Sequence, residues 1–291
     1  MPVDVVGLGT CNIDFINKVP RLVGPDDEVD VEKLVLSVGG SASNFTVGLS
    51  RLNISTGIIA WVGKDYFGQI CTKKLQDEGV DTQRLQSVNA PTGTVFIAVD
   101  PVGERSMYAF MGANAEFQLL KEDIDYIKSS KILHITGMYK EVVEEASKYA
   151  NFLSLNPGTL LSEYGTEGMY KSIKRANIIF LNKKEISILT GEDLDNGAQT
   201  LLDMDVEMVS VTCGKDGANL YTKHNIIHSP VKETTALDTT GAGDSFAAGF
   251  IAAYIKDKKL KECLDFANMV ASSCVEKYGA MNISKACNLD I

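Results

Sequence analysis

Asp238-Thr-Thr-Gly-Ala-Gly-Asp-Ser-Phe246 is the densest group of residues able to do chemistry, and a small-residue run, Ala247-Ala-Gly-Phe-Ile-Ala-Ala253, follows it. A turn through Gly241-Ala242-Gly243 that opens a helix aims several backbone N–H groups in one direction, and the helix dipole adds positive potential there. Such a turn suits an anion. Asp244, at the start of that helix, would sit beside a bound phosphate, where a carboxylate is able to take the proton of an attacking hydroxyl. The plainer reading is a glycine turn with Asp244 as helix cap, a position that Asp favours. Spacing alone leaves both readings open.

Competing signatures are missing or broken. No GxxxxGK[ST] phosphate loop occurs. Gly7-Leu-Gly-Thr-Cys-Asn12 begins like a dinucleotide fingerprint, but Asn12 fills the third small-residue position, where a side chain spoils the helix packing that the motif needs. A dehydrogenase is disfavoured on that ground. There is no nucleophile elbow. Cys11, Cys71, Cys213, Cys263, Cys274 and Cys287 are scattered without a CxxC pair, so buried, reduced thiols are expected. His134, His224 and His228 are too dispersed for a metal cluster, and the sequons at Asn44, Asn53 and Asn282 read as chance.

The elements that must position these residues alternate. Val3–Leu8, Ile54–Val62, Lys131–Thr136, Phe152–Leu155, Ile178–Leu181 and Met208–Thr212 are short apolar runs. Stretches of helical spacing lie between them, including Ser41–Leu52, Val142–Asn151, Met169–Arg175 and Leu264–Lys277. This rhythm predicts an α/β fold with a mostly parallel sheet covered on both faces. Two excursions, roughly 13–38 and 92–111, alternate apolar and polar residues instead. They suggest antiparallel strands forming a small β lid with Val29, Val31, Val95, Ile97 and Val99 inward. Asp30, Glu32, Thr94 and Phe96 would then give the outer face a mixed character. No linker divides residues 1–291, so one domain is expected.

Composition narrows the partners. With 28 Lys+Arg against 38 Asp+Glu the net charge is −10, a poor match to nucleic acid or anionic membrane. No apolar stretch reaches the ~20 residues of a membrane span, and no secretory signal is visible, so a cytoplasmic protein is expected.

The ordered motifs together resemble the ribokinase-like, minor-phosphofructokinase-type (PfkB) family of sugar and nucleoside kinases, across nearly the whole chain. Asn12 and Asp14 match an early substrate-binding pair, and Gly39-Gly40-Ser-Ala-Ser-Asn44 matches the first family signature. Gly103-Glu-Arg105 and Gly112-Ala-Asn-Ala115 match the lid-return segment, and Asn182-Lys-Lys-Glu185 an NxxE motif. Thr212-Cys-Gly-Lys-Asp-Gly217 matches a nucleotide-side turn, and Asp238–Asp244 the second signature.

The resemblance implies a ribokinase-like fold and ATP-dependent phosphorylation of an alcohol group on a small sugar or sugar derivative. A nucleoside kinase and a non-catalytic relative are the alternatives. By resemblance Asp244 is the base, and Gly241, Ala242 and Gly243 form the anion hole. Asn12, Asp14, Gly39, Gly40 and Asn44 hold the acceptor. Asn182, Glu185, Thr212, Gly214, Gly217 and Asn268 serve the nucleotide. Glu185 would act on Mg²⁺ through water, and Asp238 and Thr240 would help bind a monovalent cation such as K⁺. Typical ribokinases carry a Lys where this chain has Ser41, which puts ribose itself in question. The tail ending Asn288-Leu-Asp-Ile291 is short for the family. A homodimer through the lid is expected, each lid helping to close the partner's site.

Overall fold

Val5 of the first strand packs into one helical layer, and Val6 and Leu8 into the other, so the run Val5–Gly9 (β1) is apolar throughout rather than alternating. The computed structural model describes residues 2–231, 237–276 and 279–283. Cys287, Lys277 and the tail Asn288–Ile291 lie outside the described residues.

After β1 the chain leaves the main sheet for β2 (Asn12–Lys18) and β3 (Lys33–Gly39), then returns as β4 (Thr56–Gly63) and β5 (Asp81–Val88). It leaves again for β6 (Gly93–Val99) and β7 (Arg105–Phe110). The main sheet is completed by β8 (Ile132–Thr136), β9 (Leu153–Asn156), β10 (Ile178–Asn182), β11 (Met208–Thr212), β12 (Ala218–Thr222) and β13 (Ile226–Ser229). Its order is β13-β12-β11-β10-β9-β8-β1-β4-β5, parallel from β5 to β11, with an antiparallel β12–β13 hairpin at one edge.

One face is covered by helices Ser41–Arg51, Ala242–Tyr254 and Leu260–Val275, whose core joins Phe45, Phe180, Phe246 and Phe250. The small residues of Ala242–Tyr254 allow close approach: a Cβ on Gly249 would stand 3.0 Å from the Cα of Ala267. His134 is a core residue here, stacked 3.8 Å from Phe45 with Nδ1 2.7 Å from the Ser154 hydroxyl. Cys11, Cys71, Cys263 and Cys274 are buried, and Cys213 is half-buried.

The small sheet, in the order β3-β2-β6-β7, corrects the sequence expectation in two ways. β2–β3 and β6–β7 are antiparallel, but β2 and β6 run parallel at its centre, Asn12 beside Gly93 and Ile16 beside Ile97. Both excursions leave the carboxyl ends of parallel main-sheet strands, β1 and β5, so their first strands start in the same direction. The strand bounds also differ. β3 begins only at Lys33, leaving Val29, Asp30, Val31 and Glu32 in irregular chain, with Val31 exposed. The register puts Phe15, Leu34, Leu36, Phe96, Tyr108 and Phe110 on the outer face. All but Phe15 of these are largely exposed. The same register puts Asn17, Thr94 and Ser106 on this face, so it is mixed as expected, with Leu34, Leu36, Phe96, Tyr108 and Phe110 its most exposed side chains. The inner face carries Asp14, Val95, Ile97 and Met107.

Candidate active site

A cavity of about 1010 Å³ opens over the carboxyl ends of β1, β8, β9, β10 and β11, beneath the inner face of the small sheet. Open α/β sheets place ligands at this edge. At its floor, helix Ala242–Tyr254 starts from Gly241, whose φ of 74° is the left-handed conformation open to glycine. A Cβ at Gly241 would overlap Ala280. No side chain caps this helix, and its first residues Ala242, Gly243 and Asp244 line the cavity, the Ala242 N–H bonded to the Thr239 carbonyl at 3.3 Å. The turn before it is folded by Asp238, which accepts N–H bonds from Thr240 at 2.9 Å and Gly279 at 2.8 Å. The guanidinium of Arg105 reaches Thr240 Oγ1 at 3.1 Å from β7.

Asp244 is buried but lines this cavity, so the helix-cap reading gives way to a carboxylate aimed at a ligand space. Its Oδ2 accepts from Asn44 Nδ2 at 2.9 Å, across 200 residues of sequence. Burial pushes its pKa up to about 7, the Asn44 bond pulling against it and the charges of Asp14 and Glu185 adding to it. Asn44 is itself buried, with its Oδ1 lacking a partner among the described residues. Asp14 is likewise raised to about 7, first by burial and then by the charge of Asp238. Gly39 allows the Asp14 carboxylate its place, because a Cβ there would overlap it. Gly40, at φ 93°, starts helix Ser41–Arg51 and passes close to Thr10. Of the five acceptor-side residues only Asn12 lines the cavity, with Ser41 beside it in the wall; Asp14, Gly39, Gly40 and Asn44 lie outside the lining, Asn44 joined to the cavity through Asp244 and Gly40 through Thr10.

On the far side, Asn182 and Glu185 form a reciprocal helix cap, each side chain bonding the other's backbone N–H at 2.9 Å, and both line the cavity. Burial raises the Glu185 pKa against the lowering effect of these bonds. Thr212 also lines the wall. Gly214 and Gly217 make the positive-φ turn after β11 but lie outside this lining. Asn268 also lies outside, its amide bonded to the Ser229 carbonyl at 2.8 Å. Among the described residues no three His, Cys, Asp or Glu side chains gather to hold a metal ion. Glu185, facing the phosphate end with one oxygen committed to its own helix, suits a metal carried by phosphate and water.

Sequence reasoning gave no role to Asn114, Arg105, Met107, Met111 or Tyr139, all of which stand in or directly behind the wall. Met107 shares the inward parity of Val95 and Ile97, a signal that was available once the register was known. Asn114, like Arg105, stood in the lid-return segment that the motifs matched, but its bond to Asn12, 102 residues away, left no mark in the spacing.

The family profile described as pfkB family carbohydrate kinase matches residues 3–287. An uncharacterized sugar kinase from Archaeoglobus fulgidus is 34% identical over 245 residues, covering 80% of this chain and 96% of its own. Among solved structures, a ribokinase from Thermotoga maritima superposes with a TM-score of 0.86 at 25% identity, covering 96% of this chain and 95% of its own. A nucleoside kinase from Methanocaldococcus jannaschii gives a TM-score of 0.83 at 26% identity, covering 97% and 95%.

Proposed function

The chain belongs to the pfkB family of carbohydrate kinases, and from that premise we propose that it transfers the terminal phosphoryl group of ATP to a hydroxymethyl or other alcohol group of a small sugar or sugar derivative. The observation that carries this reading is Asp244: a buried carboxylate near neutral pKa, standing where uncapped helix N–H groups meet the Asn12–Asp14–Asn44 cluster. In the step, Asp244 accepts the proton of the acceptor hydroxyl as its oxygen bonds to the γ-phosphorus. The bond from that phosphorus to the β-phosphate oxygen breaks, and ADP leaves. The N–H groups beside Gly241, Ala242 and Gly243 meet the charge that grows on the transferred group. Asn44 holds Asp244 in orientation, and Asp14 accepts hydrogen bonds from acceptor hydroxyls, the stronger kind when charged. Asn182, Glu185 and Thr212 face the nucleotide phosphates, with Gly214, Gly217 and Asn268 further along its path.

Mg²⁺ bound with ATP supplies charge neutralisation between the phosphates, with Glu185 acting on it through water. Asp238 and Thr240, which shape the turn before the anion hole, are placed to respond to K⁺. The small sheet closes as a lid to exclude water from the transfer. The protein works in the cytoplasm as a homodimer: the outer lid face exposes Leu34, Leu36, Phe96, Tyr108 and Phe110, a patch able to pair with itself. Light scattering at micromolar concentration should give twice 31.5 kDa, and Phe96→Glu should return a monomer.

A nucleoside is the second reading, favoured by Met107, Met111 and Tyr139 in the cavity wall, an apolar surface of the sort that accepts a base. ADP release with ATP and ribose, fructose, ribose 1-phosphate, adenosine or cytidine separates the two. An acceptor-dependent rate supports the kinase; ATP consumption indifferent to every acceptor contradicts it.

A further inference from the structure

Asn114 lies in the short turn Gly112–Glu116 after β7, fully buried and outside the cavity lining. Its Oδ1 accepts the backbone N–H of Cys11 at 3.3 Å. Its Nδ2 donates to the Met111 carbonyl at 2.9 Å and to Oδ1 of Asn12 at 2.8 Å. These bonds have a fixed logic. A backbone N–H only donates and a backbone carbonyl only accepts, so the Asn114 amide has one permitted orientation and must turn its amino group to Asn12. An amino group only donates in turn, so Asn12 must give Asn114 its carbonyl oxygen and point its own amino group away. Asn12 lines the cavity, and among the described residues its Nδ2 makes no hydrogen bond.

We propose that Asn114 is a positioning residue that sets the hydrogen-bond polarity of the acceptor end, holding Asn12 with its two N–H donors toward the substrate. The proposal rests on the kinase reading above. Two neighbouring groups then have opposite demands: Asn12 offers donors, and Asp14 offers a carboxylate that accepts. The site selects an acceptor that presents an oxygen lone pair at Asn12 beside a hydroxyl proton at Asp14. An ammonium or N–H group at the Asn12 position is refused, because it would meet donors with a donor. Gly93 belongs to the same device. A Cβ there would overlap both Asn114 Nδ2 and Asn12 Oδ1, so only glycine leaves room for the paired amides.

The test uses whichever of ribose, fructose, ribose 1-phosphate, adenosine or cytidine the unmodified protein phosphorylates with the lowest KM. Asn114→Asp keeps the shape but removes the donor, so Asn12 must turn its amino group inward and show its carbonyl to the cavity. Gly93→Ala removes no polar group and forces the two amides apart; it carries the test alone if Asn114→Asp does not fold. Each variant is expected to raise the acceptor KM about tenfold or more, the usual cost of a mismatched buried hydrogen bond. The ATP KM should stay within about twofold. An acceptor KM unchanged in a folded variant, or an ATP KM rising equally, overturns the proposal and leaves Asn114 a structural residue. An unmodified protein that turns over no acceptor overturns the kinase reading itself, a failure seen before any variant is made.

Discussion

In the proposed site, the recognising groups at the Gly241–Asp244 end belong mainly to the backbone, whereas at the Asn12–Asp14 end they are side chains, Asn12 held by Asn114 and Asp14 buried beside Gly39. The proposed anion hole comes from one short stretch of chain and depends on a positive φ and an open helix start. The acceptor end joins β2, the glycines before helix Ser41–Arg51, and the segment after β7. Backbone N–H groups recognise any phosphoryl oxygen, so one arrangement serves a common donor. Side chains of definite polarity discriminate among acceptors. On the proposed roles, the fold separates what is general in the reaction from what is particular to its substrate, and the Asn44–Asp244 bond joins the two.

Apart from loss of Asp244 itself, that separation makes the largest effect a backbone one. Gly241→Ala must abandon φ 74° and push against Ala280, so it should lower kcat by about 10²–10³, as loss of an oxyanion-type donor does. A Cβ at Gly243 meets nothing within 4 Å. Gly243→Ala should therefore melt like the unmodified protein yet bind ATP more weakly. Steady-state rates beside thermal melts distinguish the two, and a Gly241→Ala enzyme with normal kcat would break the comparison.

Next in size, Asp14→Asn should raise the acceptor KM by about ten- to a hundredfold, with the ATP KM unchanged, because a charged acceptor of hydroxyl protons becomes a neutral amide. Varying ATP and acceptor in turn gives both constants. Equal changes in the two would mean that the ends are not separate.

The smallest effect is on stability, and it sharpens the comparison through pH. Asp14 and Asp244 both have folded pKa values near 7, above the ordinary 3.8. The folded state therefore holds protons that the unfolded chain releases. Their stabilising contribution is full below pH 3.8 and is lost as pH rises through 7. Asp244→Asn should accordingly gain little in melting temperature at pH 5 and several degrees at pH 8. Activity runs the other way, since the base must be ionised: kcat should fall about tenfold per unit below pH 7. Melts of both proteins across this range decide it; a gain that shrinks with rising pH would contradict the sign.

The same division explains what was legible in the sequence. Gly241-Ala-Gly-Asp244 could be read because its chemistry is local, and the alternating runs gave the parallel sheet because buried strands are apolar on both faces. The lid was misread only in part: Val95, Ile97 and Val99 share one face as expected, but Val29 and Val31 lie outside β3. Val29 and Val31 continue the alternating pattern past the point where β3 begins at Lys33, and alternation carries no register. Parallel pairing of β2 with β6 depends on where β1 and β5 end in space, which no local pattern records. The bonds Asn44–Asp244 and Asn12–Asn114 join positions more than a hundred residues apart and leave no trace in spacing.

The most direct measurement is turnover by Asp244→Asn, followed by ³¹P NMR with ATP and the best acceptor, beside calorimetric binding of ATP. The amide keeps the shape and the bond to Asn44 but cannot take the hydroxyl proton. The account predicts ATP binding within about twofold of the unmodified protein and formation of the phosphate ester slowed by about 10²–10⁴. Ester formed at close to the original rate would remove Asp244 as the base and with it the join between the two ends.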